Sequence, residues 1–237
     1  MSFVTTLGTG VKRVAENPRI LERWKSDPLG LFRYIVAHYR FDRSKVDTRG
    51  FVDLLAGKQG ADLWNEQSPL SYPYGFLYYM IRGFKPNVVV ETGVHQGRTT
   101  LCTLSAMEKN GFGALYSIEL GSQEGFSYQD LLPREQIGSL VPQYLRKPWN
   151  LVWGDSKKEL PALLERLGEI DVFLHDSLHT DEHMLFEYRT AWKHLRKGGL
   201  LLSDDIGFGF LKFAREVKHP YACFGGLHKI GGIRKDR

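Results

Sequence analysis

From residue 87 onward the chain alternates short apolar runs with amphipathic stretches, and this texture restricts its fold more than any other feature. The runs are NVVVE (87–91), ALYSIE (114–119), NLVWGD (150–155), DVFLHD (171–176) and GLLLSDD (199–205). A segment of helical character separates most of them. That alternation predicts βαβ units, hence a parallel sheet with helices on both faces. Such sheets bind ligands in the crevice beyond the carboxyl ends of their strands. All five runs carry acids at that end: Glu91, Glu119, Asp155, Asp176 and the pair Asp204–Asp205. One acid at one strand end carries no meaning, whereas acids at five strand ends on one rim predict a site.

The rest of the chain sets limits on that site. Its 237 residues suffice for one sizeable core, or for one domain with an extension. With 42% hydrophobic and 25% charged residues, the composition is that of a globular protein. No stretch has the roughly 18 uninterrupted apolar residues of a membrane span. The start, MSFVTTLGTGVKRVAENPR, has neither the apolar core nor the small-residue cleavage site of a secretory signal. Cys102 and Cys223 show no CxxC and no metal spacing. Read as buried thiols, they suit a cytoplasmic protein. A net charge of +5 permits an anionic partner, but the basic residues are scattered apart from the tail IRKDR and Lys157–Lys158. A solvated surface accounts for this better than nucleic-acid binding does.

Residues 1–84 read as a helical N-terminal extension that caps the substrate side of a catalytic domain over 85–237. In SDPLGLFRYIVAHYR, Asp27 stands at an N-cap and Pro28 at the first helical position, with Leu31, Ile35 and Tyr39 at helical spacing. The segment SPLSYPYGFLYYMIRGFKP predicts a further helix ended by Gly83 and Pro86. Residues 121–149 interrupt the strand–helix rhythm and are expected as a lid. Tyr72, Tyr74, Phe126 and Tyr128 suit stacking on a sugar or flat ring, although aromatics at these spacings more often belong to a core.

The stretch VVVETGVHQGRTT reads as strand, glycine turn and helix start. Gly93 and Gly97 allow a tight turn and close approach of a ligand to the backbone. His95 stands where a dinucleotide fingerprint has its second glycine, and no G-K-[ST] of a P-loop follows. An acid at the strand end is awkward beside a pyrophosphate but suits an amino group or cation. Glu119 ends the second strand about where a Rossmann-type site puts the acid that binds a ribose diol. These features describe a positively charged nucleoside without phosphates, and S-adenosylmethionine fits the description.

The segment LHDSLHTDEH (174–183) is the most heavily titratable part of the rim. Neighbouring parallel strands lie roughly 4.8 Å apart, so Asp176 can converge with Asp204 and Asp205 on one ion. Three carboxylates without a cysteine suit a hard divalent cation such as Mg²⁺. Two alternatives stand beside this: Asp204–Asp205 can cap a helix or turn, and Asp176 can contact the cofactor alone. Alternation points His175 to the opposite face from Asp176, as a packed or hydrogen-bonded histidine. Thr180 is expected to cap the following helix, with Asp181 and Glu182 in its first turn. His183 falls inside that helix, whose apolar face Met184, Leu185, Tyr188, Trp192 and Leu195 trace.

From about residue 67 to its end the chain resembles the class I S-adenosylmethionine-dependent methyltransferases. It is most similar to the bacterial group that includes macrolide and sugar O-methyltransferases and cephalosporin hydroxylase-like proteins. The resemblance rests on ETGVHQGRT, YSIEL, VWGDS, DVFLHDSLHTDEHMLFEYRTAWKHLRKGGLLLSDDI and GGIRK. It implies a Rossmann-like, mostly parallel sheet with an antiparallel last strand. It also implies that Glu91 and Gly93 lie near the methionine part of the cofactor, with Thr92, Gly97, Arg98 and Thr99 completing that turn. Glu119 would bind the ribose hydroxyls, and Asp155 with Ser156 would border the adenine. Catechol-type and macrolide relatives hold a divalent metal at the positions of Asp176, Asp204 and Asp205. They also use a basic residue at the place of His179 as the base that deprotonates the substrate. The activity so implied is metal-assisted O-methylation of a small molecule or saccharide, by an enzyme that self-associates as a homo-oligomer. A metal-independent methyltransferase and a basic RNA-binding methyltransferase-like protein are the alternatives. No N-P-P-Y or D-P-P-Y stretch is present, which disfavours methylation of nucleobase amino groups.

Overall fold

The structure is a computed structural model, and it describes residues 75–122, 132–219, 221–224 and 230–235. The expectations for residues 1–74, including the helix after Asp27 and the aromatics Tyr72 and Tyr74, lie outside the described residues. So do Phe126 and Tyr128. Within the described residues the chain runs α1 (Gly75–Phe84), β1 (Val88–Thr92), α2 (Arg98–Asn110), β2 (Ala114–Glu119) and β3 (Trp149–Trp153). It continues through α3 (Ser156–Leu167), β4 (Ile170–His175), α4 (Asp181–His194), β5 (Leu195–Ser203), α5 (Phe208–Val217), β6 (Tyr221–Phe224) and β7 (Ile230–Arg234).

The seven strands form one sheet in the order β3-β2-β1-β4-β5-β7-β6. β1 to β5 are parallel, while β7 runs antiparallel to both of its neighbours, β5 and β6. The expected antiparallel last strand is therefore present, inserted beside the edge strand and not at the edge itself. The strand order reverses direction between β1 and β4. This switch point is where an open α/β sheet leaves a crevice at its carboxyl ends.

Side-chain alternation sends successive strand residues to opposite faces. Val90, Ile118, Phe173 and Leu201 meet Leu160 and Leu164 of α3, Leu185 and Tyr188 of α4, and Phe210 and Phe213 of α5 in one buried core. Val89, Leu115, Val172 and Leu202, also buried, point to the other face. There α2 is covered up to its last turn: every residue from Thr99 to Met107 is buried. Each fully buried Leu or Phe removes enough apolar surface to contribute about 1.5–3 kcal/mol. Two such layers hold the rim between them. No described helix is long and apolar enough to cross a membrane.

Candidate active site

The glycine turn between β1 and α2 shows why its residues are what they are. Gly93, His95 and Gly97 have φ of 83°, 51° and 91°, so every second residue is left-handed. His95 adopts the conformation for which glycine is favoured, and its side chain is exposed. A Cβ built on Gly93 would fall 2.0 Å from the carbonyl oxygen of Asp176, so the end of β4 fills the space a side chain would need. A Cβ on Gly97 would lie 3.0 Å from Gly138 Cα and from Val141 Cγ2, a tight but less severe approach. Backbone bonds from Gly138 N to His95 O (2.8 Å) and Leu140 N to Gln96 O (3.0 Å) tie the turn to this segment. Thus residues 132–149 of the expected lid segment include a support under the turn. α2 begins at Gly97 with no side-chain cap, so its first N–H groups and the positive end of its dipole face the turn. Arg98 opens that helix half-buried, and Thr99 is buried behind it.

The first three rim acids are engaged in holding this framework, a departure from acids at five strand ends all facing one rim. Glu91 is fully buried beneath the turn, its Oε2 accepting from Thr100 Oγ1 (2.8 Å) and Ser117 Oγ (2.6 Å). Its Oε1 is buried without a protein partner. Burial pushes this carboxyl above the usual glutamate range, against the pull of the serine and threonine bonds. Glu119 accepts from Val94 N (2.7 Å) and His95 N (2.8 Å) on one oxygen and from Gly121 N (2.9 Å) on the other. It shapes the turn in addition to anything it binds. Asp155 is the N-cap of α3, accepting from Lys157 N at 2.9 Å. Ser156 is buried, and its hydroxyl bonds to His183 and Glu187.

The acids after β4 and β5 do converge. Among the described residues, Asp176, His179 and Asp204 bring one ligand atom each to within 4.8 Å of one another. Asp205 stands outside this set. Its backbone is left-handed (φ 43°), and its Oδ2 faces His179 Nδ1 at 3.8 Å, while His179 Nε2 lies 3.8 Å from Asp176 Oδ1. His179 thus bridges the carboxylates where the reading from sequence placed Asp205. Burial, then the negative charge of Asp204, drives Asp176 well above the ordinary carboxylate range, as expected where like charges share a site. Loss of water around the ring holds His179 below the ordinary histidine value, with His175 adding to the effect. The helix-capping alternative for Asp204–Asp205 is filled by another residue. α5 has Gly207 at its N-cap without a side-chain bond, and Gly209 N donates instead to Asp181 Oδ1 at 2.7 Å.

One residue central to the site was not anticipated. Glu187 of α4 is fully buried and accepts from five side chains. Oε2 takes Thr92 Oγ1 and His175 Nδ1, both at 2.6 Å. Oε1 takes Ser177 Oγ (2.9 Å), His183 Nε2 (2.9 Å) and Ser156 Oγ. An ionised carboxylate is acceptor-only with about four lone-pair positions, so five donors already crowd it and leave no place for a proton of its own. Burial acts to raise its pKa, but the bonds from His175 and His183 reverse that and hold it below the glutamate range. The signal was available: residues 183, 184, 187, 188 and 191 form the inward stripe of α4, and a glutamate there needs partners. His175, expected as a packed or hydrogen-bonded histidine, and His183, expected inside the helix, are two of those partners.

A seven-stranded sheet with one reversed strand, a glycine turn at its switch point and acids on the adjoining strand ends defines the class I methyltransferase architecture. The family model described as a methyltransferase domain matches residues 90–206, and over that stretch the chain carries a methyltransferase domain of this fold. Among solved structures it is similar to an O-methyltransferase from Bacillus cereus in complex with SAH, at 14% identity and a TM-score of 0.51, covering 91% of this chain and 100% of that one. It is also similar to the SAH-bound methyltransferase PaMTH1 of Podospora anserina, at 13% identity and a TM-score of 0.52 over 97% and 96% of the two chains. A third is MycE, from the mycinamycin biosynthetic pathway, in complex with Mg, SAH and mycinamycin VI. It shares 14% identity at a TM-score of 0.50, over 97% of this chain and 63% of that one. At these identities the likeness speaks for the fold. Among curated proteins, none matches the sequence.

Proposed function

We propose that this enzyme methylates a hydroxyl of a small molecule or saccharide, assisted by a hard divalent cation such as Mg²⁺. The observation that carries this is the convergence of Asp176, His179 and Asp204 within 4.8 Å beside the glycine turn. MycE, with this fold, was solved with Mg and SAH, which supports the reading. S-adenosylmethionine supplies an electrophilic methyl on a positively charged sulfur. Its amino group finds a partner in the orphaned Oε1 of Glu91. Its carboxylate suits the uncapped start of α2. Glu119 Oε1, which takes only the Gly121 N–H, keeps lone-pair capacity to accept from a ribose hydroxyl. Asp155 borders the adenine.

Asp176 and Asp204 would hold the cation, which supplies a Lewis acid to acidify the acceptor hydroxyl and a template to orient it. His179 would take the proton from that hydroxyl. Its lowered pKa keeps the ring neutral and ready to accept near neutral pH. Asp205, 3.8 Å from Nδ1, stabilises the imidazolium that results.

The same triad favours a second reading, in which His179 is the third ligand and the base lies elsewhere. Calorimetric titration of S-adenosylmethionine, then Mg²⁺, into the wild type, Asp204→Ala and His179→Ala separates the two. Under the first, Asp204→Ala loses Mg²⁺ binding, whereas His179→Ala keeps it and loses methyl transfer to a panel of hydroxylated sugars and polyketides. Loss of Mg²⁺ in His179→Ala makes it a ligand. A wild type that binds S-adenosylmethionine but no Mg²⁺ makes the carboxylates pocket walls.

A further inference from the structure

We infer that Glu187, fully buried on α4, is the positioning residue that sets the metal-binding geometry of Asp176. The inference rests on the metal reading above and concerns what holds that site in shape. Asp176 has no regular element of its own: it is the first residue after β4, on the loop to α4. Its placement therefore depends on its neighbours, and Glu187 binds them on three sides. His175, which precedes Asp176, donates Nδ1–H to Glu187 Oε2 at 2.6 Å. Ser177, which follows it, donates to Oε1 at 2.9 Å. Thr92, whose carbonyl accepts the Asp176 N–H at 2.8 Å, donates its hydroxyl to Oε2 at 2.6 Å. The reach extends to the second carboxylate, because Asp204 N donates to the His175 carbonyl at 2.9 Å. One buried anion thus fixes the backbone on both sides of Asp176, the strand beside it and, through His175, the attachment of Asp204.

The chemistry asks for a carboxylate here. All five groups directed at Glu187 are donors. Glutamine has the same shape, but its amide nitrogen would present hydrogens to donors, so two or three bonds must break or reverse. Residues that orient metal ligands from behind typically contribute 10–100-fold in metal affinity.

The test is Mg²⁺ titration by calorimetry, at a temperature where every variant is folded, into the S-adenosylmethionine-bound wild type, Glu187→Gln, Glu187→Asp, Ser177→Ala and Leu164→Ala. Leu164 is buried in α3, and its truncation lowers stability without touching this network. We expect Glu187→Gln to bind Mg²⁺ about 10–100-fold more weakly while still binding S-adenosylmethionine. Glu187→Asp, which keeps the charge, and Ser177→Ala, which removes one bond, should lose less. Leu164→Ala should match the wild type. Equal Mg²⁺ affinity in Glu187→Gln and wild type overturns the inference and leaves the metal reading standing. An equal loss in Leu164→Ala also overturns it, by showing only the effect of a weakened fold. No Mg²⁺ binding by the wild type overturns the metal reading and this inference with it.

Discussion

His95 holds φ at 51° between two left-handed glycines, a conformation that disfavours any residue with a Cβ by roughly 1–2 kcal/mol. Its side chain is exposed, and its backbone N–H already bonds to Glu119 at 2.8 Å. Replacing it with glycine keeps that bond and relieves the strain. We expect His95→Gly to gain about 1 kcal/mol, raising Tm by about 2–4 °C in a thermal melt. A lower Tm would mean that the imidazole has a partner of its own. At this scale the sequence disclosed residue types and strand-end positions but not side-chain duties. Glu91, Glu119 and Asp155 were legible as acids on a rim. Their engagement with Ser117, the turn amides and the α3 N-terminus depends on contacts that only the fold brings about.

The strands were legible because β1, β2, β3, β4 and β5 are dense in Val, Leu and Ile and end in polar turns. α4 was legible through Thr180 and its two following acids, and Thr180 Oγ1 does accept from His183 N. α5 was not, for a physical reason. It opens with glycine-rich IGFGF and no capping side chain of its own, and takes its bond from Asp181, distant in sequence. Asp181 therefore joins two elements, the start of α4 and the start of α5, and with them the loops that carry Asp176–His179 and Asp204–Asp205. Asp181→Ala should lose the stability of a helix cap, about 1 kcal/mol, and lower Tm by about 2–4 °C. Because the two loops are no longer tied, Mg²⁺ binding should weaken as well, which titration would detect. A Tm change with unaltered Mg²⁺ affinity would confine Asp181 to capping.

For the molecule as a whole, the buried Glu187 network leaves a signature in acid. The folded state holds this carboxyl below the glutamate range. A group with a depressed folded pKa binds protons more readily when unfolded, so its stabilising contribution is full above the unfolded value near 4.5. That contribution shrinks as pH falls below this value. Wild type should exceed Glu187→Gln in Tm by a constant margin from neutral pH down to about 5, and the margin should narrow as acidification continues. Thermal melts across that range would check this, and a margin independent of pH would show that the carboxylate is not the source.

Gly93 and Asp176 meet backbone to backbone, closely enough that a single added carbon would fall 2.0 Å from a carbonyl oxygen. No side chain lies in this seam to take up slack by changing rotamer, so the two segments shift together or not at all. On the reading proposed above, one segment faces the nucleoside and the other faces the ion. Thermodynamic reciprocity then applies: the factor by which Mg²⁺ tightens the hold on S-adenosylmethionine is the factor by which S-adenosylmethionine tightens the hold on Mg²⁺. The enzyme would behave as a coincidence detector, set for an acceptor only when both small ligands are home.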